Sequence, residues 1–162
     1  MLCGKFGFDQ LLKGDEDFFS NWQGLMQELQ LDHTLFFSQL EKVTHENDLK
    51  DLFTNVSYTD LNDEMLRKLE SFIKEYHERR SKNTITKEES LTLMQKTNPK
   101  FILRNYLLYQ CIEEINDGKT ELLNKLTQAL ENPYQEIYPE FSVKRPPNYD
   151  DISGCSTLSC SS

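Results

Sequence analysis

Thiols, histidines, carboxylates and one Arg-Asn pair are the side chains here that could do chemistry, and their spacing limits what that chemistry is. The four cysteines are Cys3, Cys111, Cys155 and Cys160. No two form a C-x-x-C pair, and His33, His45 and His77 stand apart from one another and from Cys3, so the usual zinc-ligand spacings are missing. Glu88-Glu89 and Glu113-Glu114 are adjacent carboxylates. Neighbours on a helix diverge by about 100° and make no acid/base dyad, so solvated faces explain both pairs. There is no glycine-rich phosphate loop, no G-x-S-x-G and no H-E-x-x-H. Thiol chemistry remains. Cys111, on an apolar helix face, reads as a small buried hydrophobe. Cys160, in a terminal SCSS with nothing local to bury it, reads as an exposed thiol, ordinary or reactive. A Cys155 to Cys160 disulfide is open geometrically if the intervening turn brings their Cα atoms to about 4.4–6.8 Å.

The elements that must position these residues are helices. Asn98 as N-cap, Pro99 at the first helical position and Gly118 at C′ delimit about nineteen residues, or roughly 30 Å, of helix. Phe101, Leu108, Ile112 and Ile115 recur there at helical spacing, and Ile102, Tyr106 and Cys111 widen the stripe, so this helix is expected to be central and buried on two sides. Arg104 and Asn105 lie inside it. Burial of either demands a partner, which for Arg104 is a carboxylate and for Asn105 a neighbouring backbone group, unless they meet another protein body.

Upstream, Phe18, Trp22, Leu25 and Leu29 form one stripe, and Leu35, Phe36 and Leu40 begin another after Asp32, a natural N-cap. Leu49, Leu52 and Phe53 suggest a short helix after Asn47. Asp60 is expected to cap a long helix carrying Leu61, Met65, Leu69, Phe72, Ile73 and Tyr76 on one side. Thr86 with Glu89 has the capping-box arrangement. Thr120 is the candidate cap of a helix packing Leu122, Leu123, Leu126, Ala129 and Leu130 inward before Asn132-Pro133 ends it. Strand patterns are missing. The expected fold is all-α, a single helical domain of about seven helices over residues 1–132. An extended tail over 133–162 follows, rich in Pro and Ser, whose aromatic residues suit lying along a protein surface.

At 162 residues, with ten Phe and seven Tyr, the chain can form one core. Its net charge of −9 opposes nucleic acid and anionic membranes as partners. The one basic cluster, His77 to Lys82, reads as the solvated end of a helix, where cations favour the dipole. No apolar run approaches the roughly twenty residues of a membrane span, and no signal peptide is evident, so the chain reads as soluble and intracellular.

Several stretches carry a family likeness. NPKFILRNYL from Asn98, a helix ending in NPY at Asn132 to Tyr134, a proline-bearing tail and the terminal SCSS together resemble the C-terminal part of the selenoprotein O family, which are kinase-like protein adenylyltransferases. MLCGKFGF resembles that family's M-x-x-K-L-G-hydrophobic stretch, and DHTLFFSQL from Asp32 resembles its D-Y-T-x-F-F-x-x-L. Residues from about Glu41 to Thr97 add only a helical pattern.

The resemblance implies a parent several hundred residues long that transfers AMP from ATP, with Mg²⁺, to Ser, Thr or Tyr hydroxyls of proteins. Its nucleotide site would lie in an upstream kinase-like core. The present chain would then hold no catalytic, cofactor-binding or metal residue, and would buttress that core, with Arg104 and Asn105 as docking candidates. The family's terminal Cys is a redox element that can bridge to the core in bacterial members. That role falls on Cys160, with Cys155 as the neighbouring thiol. A cytoplasmic address follows for a bacterial parent, with a mitochondrial one open to a eukaryotic parent. The rival reading is a free-standing helical interaction domain that binds a partner through the aromatic tail.

Overall fold

The computed structural model describes residues 2–44, 49–152 and 155. His45, Asn47, Gly154 and Cys160 lie outside them. Eight α-helices and two 3-10 turns make up the described regular structure, in keeping with the all-α expectation. They fall into two compact units, Met1–Asn98 and Pro99–Ser162.

The first unit holds α1 (Leu2–Lys5), α2 (Asp15–Glu28), α3 (His33–Leu40), α4 (Leu49–Phe53), α5 (Asp63–Arg80) and α6 (Lys87–Thr97). Its core is aromatic. Phe6, fully buried, meets Phe8, Phe18, Trp22, Phe37 and Phe72 at ring-centroid distances of 5.1–6.4 Å, mostly edge to face, an arrangement that suits the ring quadrupole. The stripes expected on α2, α3 and α5 are the ones buried. Asp32 caps α3 as expected, its Oδ1 accepting from Leu35 N at 3.1 Å, while its Oδ2 accepts from Tyr58 OH at 3.0 Å. The Thr86 capping box forms in both directions. Asn62, not Asp60, caps α5, because the helix begins two residues later and Asn62 Oδ1 is the acceptor within reach of Met65 N.

The turn after α1 explains one family-like stretch. Gly7 sits at φ +71°, and a Cβ there would come within 2.5 Å of Ser90 Oγ and 2.9 Å of Met94 Cγ on α6. Its carbonyl accepts from Ser90 Oγ and from Asn83 Nδ2, each at 2.7 Å. Glycine is required both by dihedral and by space.

The basic cluster departs from expectation. Arg79 is buried rather than solvated, because Asp15 at the start of α2 supplies a carboxylate that meets it inside the unit. Arg80 is likewise engaged, donating to Ser90 Oγ at 2.9 Å and to the Lys87 carbonyl at 3.2 Å.

The second unit holds α7 (Asn105–Asn116), α8 (Glu121–Glu131) and 3-10 turns at Pro139–Phe141 and Pro147–Tyr149. The expected helix from Asn98 is shorter than its signals suggest. Asn98 ends α6 instead: its N–H donates to Met94 O at 2.8 Å, and its buried side chain donates to Lys5 O at 2.8 Å. A proline just past a helix end is as natural as one at a helix start, and Asn-Pro reads as either. The N–H groups of Lys100 and Phe101 then bond the Pro133 carbonyl at 2.7 and 3.1 Å, holding the segment out of helix up to Arg104. The C-terminal signal is fulfilled: Gly118 at φ +76° closes α7, with Gly118 N to Ile115 O at 2.9 Å and Lys119 N to Glu114 O at 2.8 Å.

Which face of α7 is inward also differs. Tyr106, Leu107 and Cys111 are buried, with Phe101, Leu126, Ala129, Phe141 and Cys155. Leu108, Ile112 and Ile115 face outward. On α8, Leu126 and Ala129 are inward while Leu123 and Leu130 are exposed. Two helices and a tail offer too little area to cover both sides of α7. The tail belongs to this unit, since Phe141 is buried and its ring lies 5.7 Å from Phe101 and 5.4 Å from Tyr138.

Candidate functional site

The residues singled out for chemistry fall on α7 and on the tail that crosses it. Arg104 occupies the N-cap position of α7 in extended conformation, without a side-chain cap bond, and Asn105 opens the helix. Both are half-buried, and both have partners. Six residues further, Cys111 faces the unit's core.

The tail is fastened to α7 by Tyr149. Its ring packs on Tyr106 at 5.5 Å and edge-on to Tyr109 at 6.3 Å, and its hydroxyl accepts from Gln110 Nε2 at 2.7 Å. Arg145 then forks onto Asp150, with Nε and Nη2 at 2.8 and 2.7 Å from one oxygen, and reaches the Cys155 carbonyl at 3.4 Å. A further turn bond joins Cys155 N to Ile152 O at 3.0 Å. These contacts deliver the Cys155 side chain into the apolar cluster, only 4% exposed. A thiol placed there is shielded from thiols in solution until the tail lifts. Cys3, in the first unit, is half-buried.

Thus the structure brings Cys111 and Cys155 into one apolar cluster and puts Arg104 and Asn105 at the head of the same helix. Tyr149 was among the tail residues expected to lie along a protein surface, but its seat on α7 and its partner Gln110 were missed by sequence reasoning. A tyrosine in a proline-bearing tail carries no periodic signal, and only the fold shows what it touches.

A shallow groove of about 390 Å³ runs beside Tyr149, lined by Tyr109, Gln110, Glu113, Glu114 and Leu122. Its carboxylates disfavour phosphate, and Glu114 Oε2 is already taken up by Leu122 N at 3.3 Å, where it substitutes for the absent side-chain cap of Thr120. Other phosphate-binding geometry fits no better. Gly14 opens α2, but Asp15, Glu16 and Asp17 fill the first turn, and the Gly7 turn is occupied by Ser90 and Met94. Among the described residues, no three His, Cys, Asp or Glu side chains converge to hold a metal ion. The residues described therefore fit neither a nucleotide's phosphates nor Mg²⁺. None of the described helices is long and apolar enough to cross a membrane.

Comparison with known proteins shows which family these structural motifs belong to. Protein nucleotidyltransferase YdiU of Cytophaga hutchinsonii is 33% identical over 166 aligned residues, which cover all of this chain but 32% of the relative. The proteins of the same name from Tolumonas auensis and Flavobacterium johnsoniae are 31% and 28% identical, again over all of this chain and 32% of their own length. The chain therefore spans about a third of the curated relatives it matches. The family model described as protein adenylyltransferase SelO matches residues 1–131, a range that contains the Gly7 turn, the Asp32 cap and all eight helices. The chain belongs to the SelO protein adenylyltransferase family.

Proposed function

We propose that this chain is the C-terminal helical region of a longer SelO-type enzyme and is not itself catalytic. The whole protein would use ATP and Mg²⁺, both held outside the residues described here, in a kinase-like core. There the oxygen of a protein Ser, Thr or Tyr hydroxyl attacks the α-phosphorus of ATP, AMP is transferred, pyrophosphate leaves and the hydroxyl proton is released. The observation that carries this reading is the coverage: relatives named as nucleotidyltransferases match this chain end to end with two thirds of their length left over. Among the described residues, the acidic first turn of α2 and the filled Gly7 turn offer phosphates no cradle, which is in keeping with it.

The region's part is to buttress the core, with Arg104 and Asn105 at the head of α7 as docking residues, and to carry redox control on Cys160. Oxidation would join the Cys160 thiol to a second thiol as a disulfide, two electrons and two protons passing to a cellular disulfide oxidant that is itself reduced to thiols. Cys155, held in the apolar cluster, would enter such exchange only after release of the Tyr149 fastening. A cytoplasmic location fits the bacterial relatives.

The test is incubation of the purified chain with labelled ATP, Mg²⁺ and protein acceptors, alongside calorimetry. No label incorporation and no saturable binding is the expected result. Micromolar ATP binding by this chain would return the nucleotide site to it. Failure of the longer protein to modify any acceptor would favour the free-standing interaction domain.

A further inference from the structure

α7 carries apolar residues on two sides, and the second unit covers one of them. Tyr106, Leu107 and Cys111 are at most 3% exposed, whereas Leu108, Ile112 and Ile115 stand 44%, 49% and 44% exposed. The exposed three are spaced i, i+4, i+7, which places them in one stripe along the helix. Scattered surface leucines need no explanation, but an aligned stripe of branched apolar residues on a capped helix does. Glu113, Asn116 and Asp117 are also exposed, and Asn105 lies along the stripe's edge at its N-terminal end.

We infer that the Leu108-Ile112-Ile115 stripe of α7 is the face on which the remaining two thirds of the longer family protein docks. This rests on the functional reading above and specifies its contact surface. The occupant follows from length, charge and area. Relatives extend well beyond the matched region, so a large body of the same polypeptide is available to cover the stripe. A second copy of this chain is a poor occupant, because each copy carries a net charge of −9 and presents the same acidic residues beside the stripe. Twelve residues of helix also expose far less than the roughly 1,200–2,000 Å² of a stable interface between separate proteins. A small apolar contact suffices when the two bodies are joined covalently, since the effective concentration is then high. The acidic flank calls for Lys or Arg at the rim of the docked surface.

The experiment replaces the matched third of the Cytophaga hutchinsonii relative with this chain and compares Ile112→Glu in that chimera and in the chain by itself. In the isolated chain the variant should melt within about 1 °C of its parent, since the position faces water. In the chimera it should lower the first melting transition by more than about 3 °C. Equal shifts in both settings overturn the proposal. So does sedimentation of the isolated chain as a dimer that Ile112→Glu splits, which would assign the stripe to a second copy. If the chimera does not fold, hydrogen exchange decides: the helix of the natural relative matching Asn105–Asn116 should exchange at least about tenfold more slowly than α7 in this chain, and equal rates overturn the proposal. AMP transfer by the chimera is read separately. Its loss with the melting difference intact rejects the enzymatic reading and keeps the docking face; transfer without that difference does the reverse.

Discussion

The guanidinium of Arg79, on the last turn of α5, forks onto the carboxylate of Asp15, on the first turn of α2, with Nη2 to Oδ2 at 2.9 Å and Nε engaging Oδ1. Their side chains are 7% and 2% exposed. The same guanidinium lies 4.2 Å from the Phe8 ring centroid and donates to the Gln10 carbonyl at 2.7 Å, while Asp15 Oδ2 accepts from Leu12 N at 2.8 Å. One buried pair therefore ties α5, the start of α2 and the loop between α1 and α2 together.

Breaking this pair from one side should be costly, because the surviving charge stays buried without its partner. Asp15→Asn is expected to destabilise the chain by about 3–5 kcal/mol, read as a shift of the urea midpoint. Replacing both, as Asp15→Leu with Arg79→Met, should recover a large share of the loss. A single variant within about 0.5 kcal/mol of the parent would mean that water already reaches the pair.

Acid should weaken the first unit in two steps. His33 stays open to water on one side but packs edge-on against the rings of Trp22 and Phe37, and the partial desolvation this causes, helped by the nearby Lys5 charge, holds its pKa below the usual 6.5. A base whose folded pKa is lowered favours the neutral fold, so its contribution is complete above pH 6.5 and declines as the unfolded form protonates below it. The hydrogen bonds from Arg79 hold Asp15 below the usual 3.8 against the opposing effect of burial. Its contribution is present above that value and is lost as pH falls through the folded pKa. Urea midpoints measured between pH 8 and pH 3 should fall in both ranges, and His33→Gln should remove the upper step alone. An unchanged upper step in that variant would assign it to another group.

Gly7→Ala should be the most damaging single-methyl addition in the first unit. It pairs an unfavourable dihedral with a 2.5 Å approach to Ser90 Oγ, and relief would break the hydrogen bond from that hydroxyl to the Gly7 carbonyl. A loss above about 2 kcal/mol by chemical denaturation is expected. Gly24→Ala, where nothing lies within 4 Å of the added methyl, is the control and should be neutral or stabilising.

Much of the architecture was legible from periodicity and caps. The α2, α3 and α5 stripes, the Asp32 cap, the Thr86 capping box and the Gly118 closure all rest on local rules that tertiary contacts did not override. What failed had tertiary causes. Asn98-Pro99 is ambiguous between a helix end and a helix start, and the Pro133 carbonyl decides it. The spacing on α7 shows two apolar sides but cannot say which one the unit covers. Arg79 looked solvated because its partner lies 64 residues earlier in sequence. At the candidate site, the Tyr149 fastening and the burial of Cys155 depend on how an aperiodic tail folds back, which no local pattern encodes.

Thiol reactivity tests that tail directly. Cys111 and Cys155 are 2% and 4% exposed within one apolar cluster, so native labelling of both should be slow and governed by opening of the second unit. Cys3, half-buried in the first unit, should react faster than either. Tyr149→Ala removes the ring contact with Tyr106 and the acceptor of the Gln110 bond, and should speed Cys155 labelling by about tenfold or more while changing Cys111 less, because Cys111 is held on α7 itself. Equal acceleration at both thiols would mean that the tail and α7 open as one body. Rapid labelling of Cys155 in the parent chain would contradict its burial and restore it as a freely exchanging thiol beside Cys160. The outcome decides whether the redox control proposed above could act through Cys155 at all, or only after the Tyr149 fastening has been released.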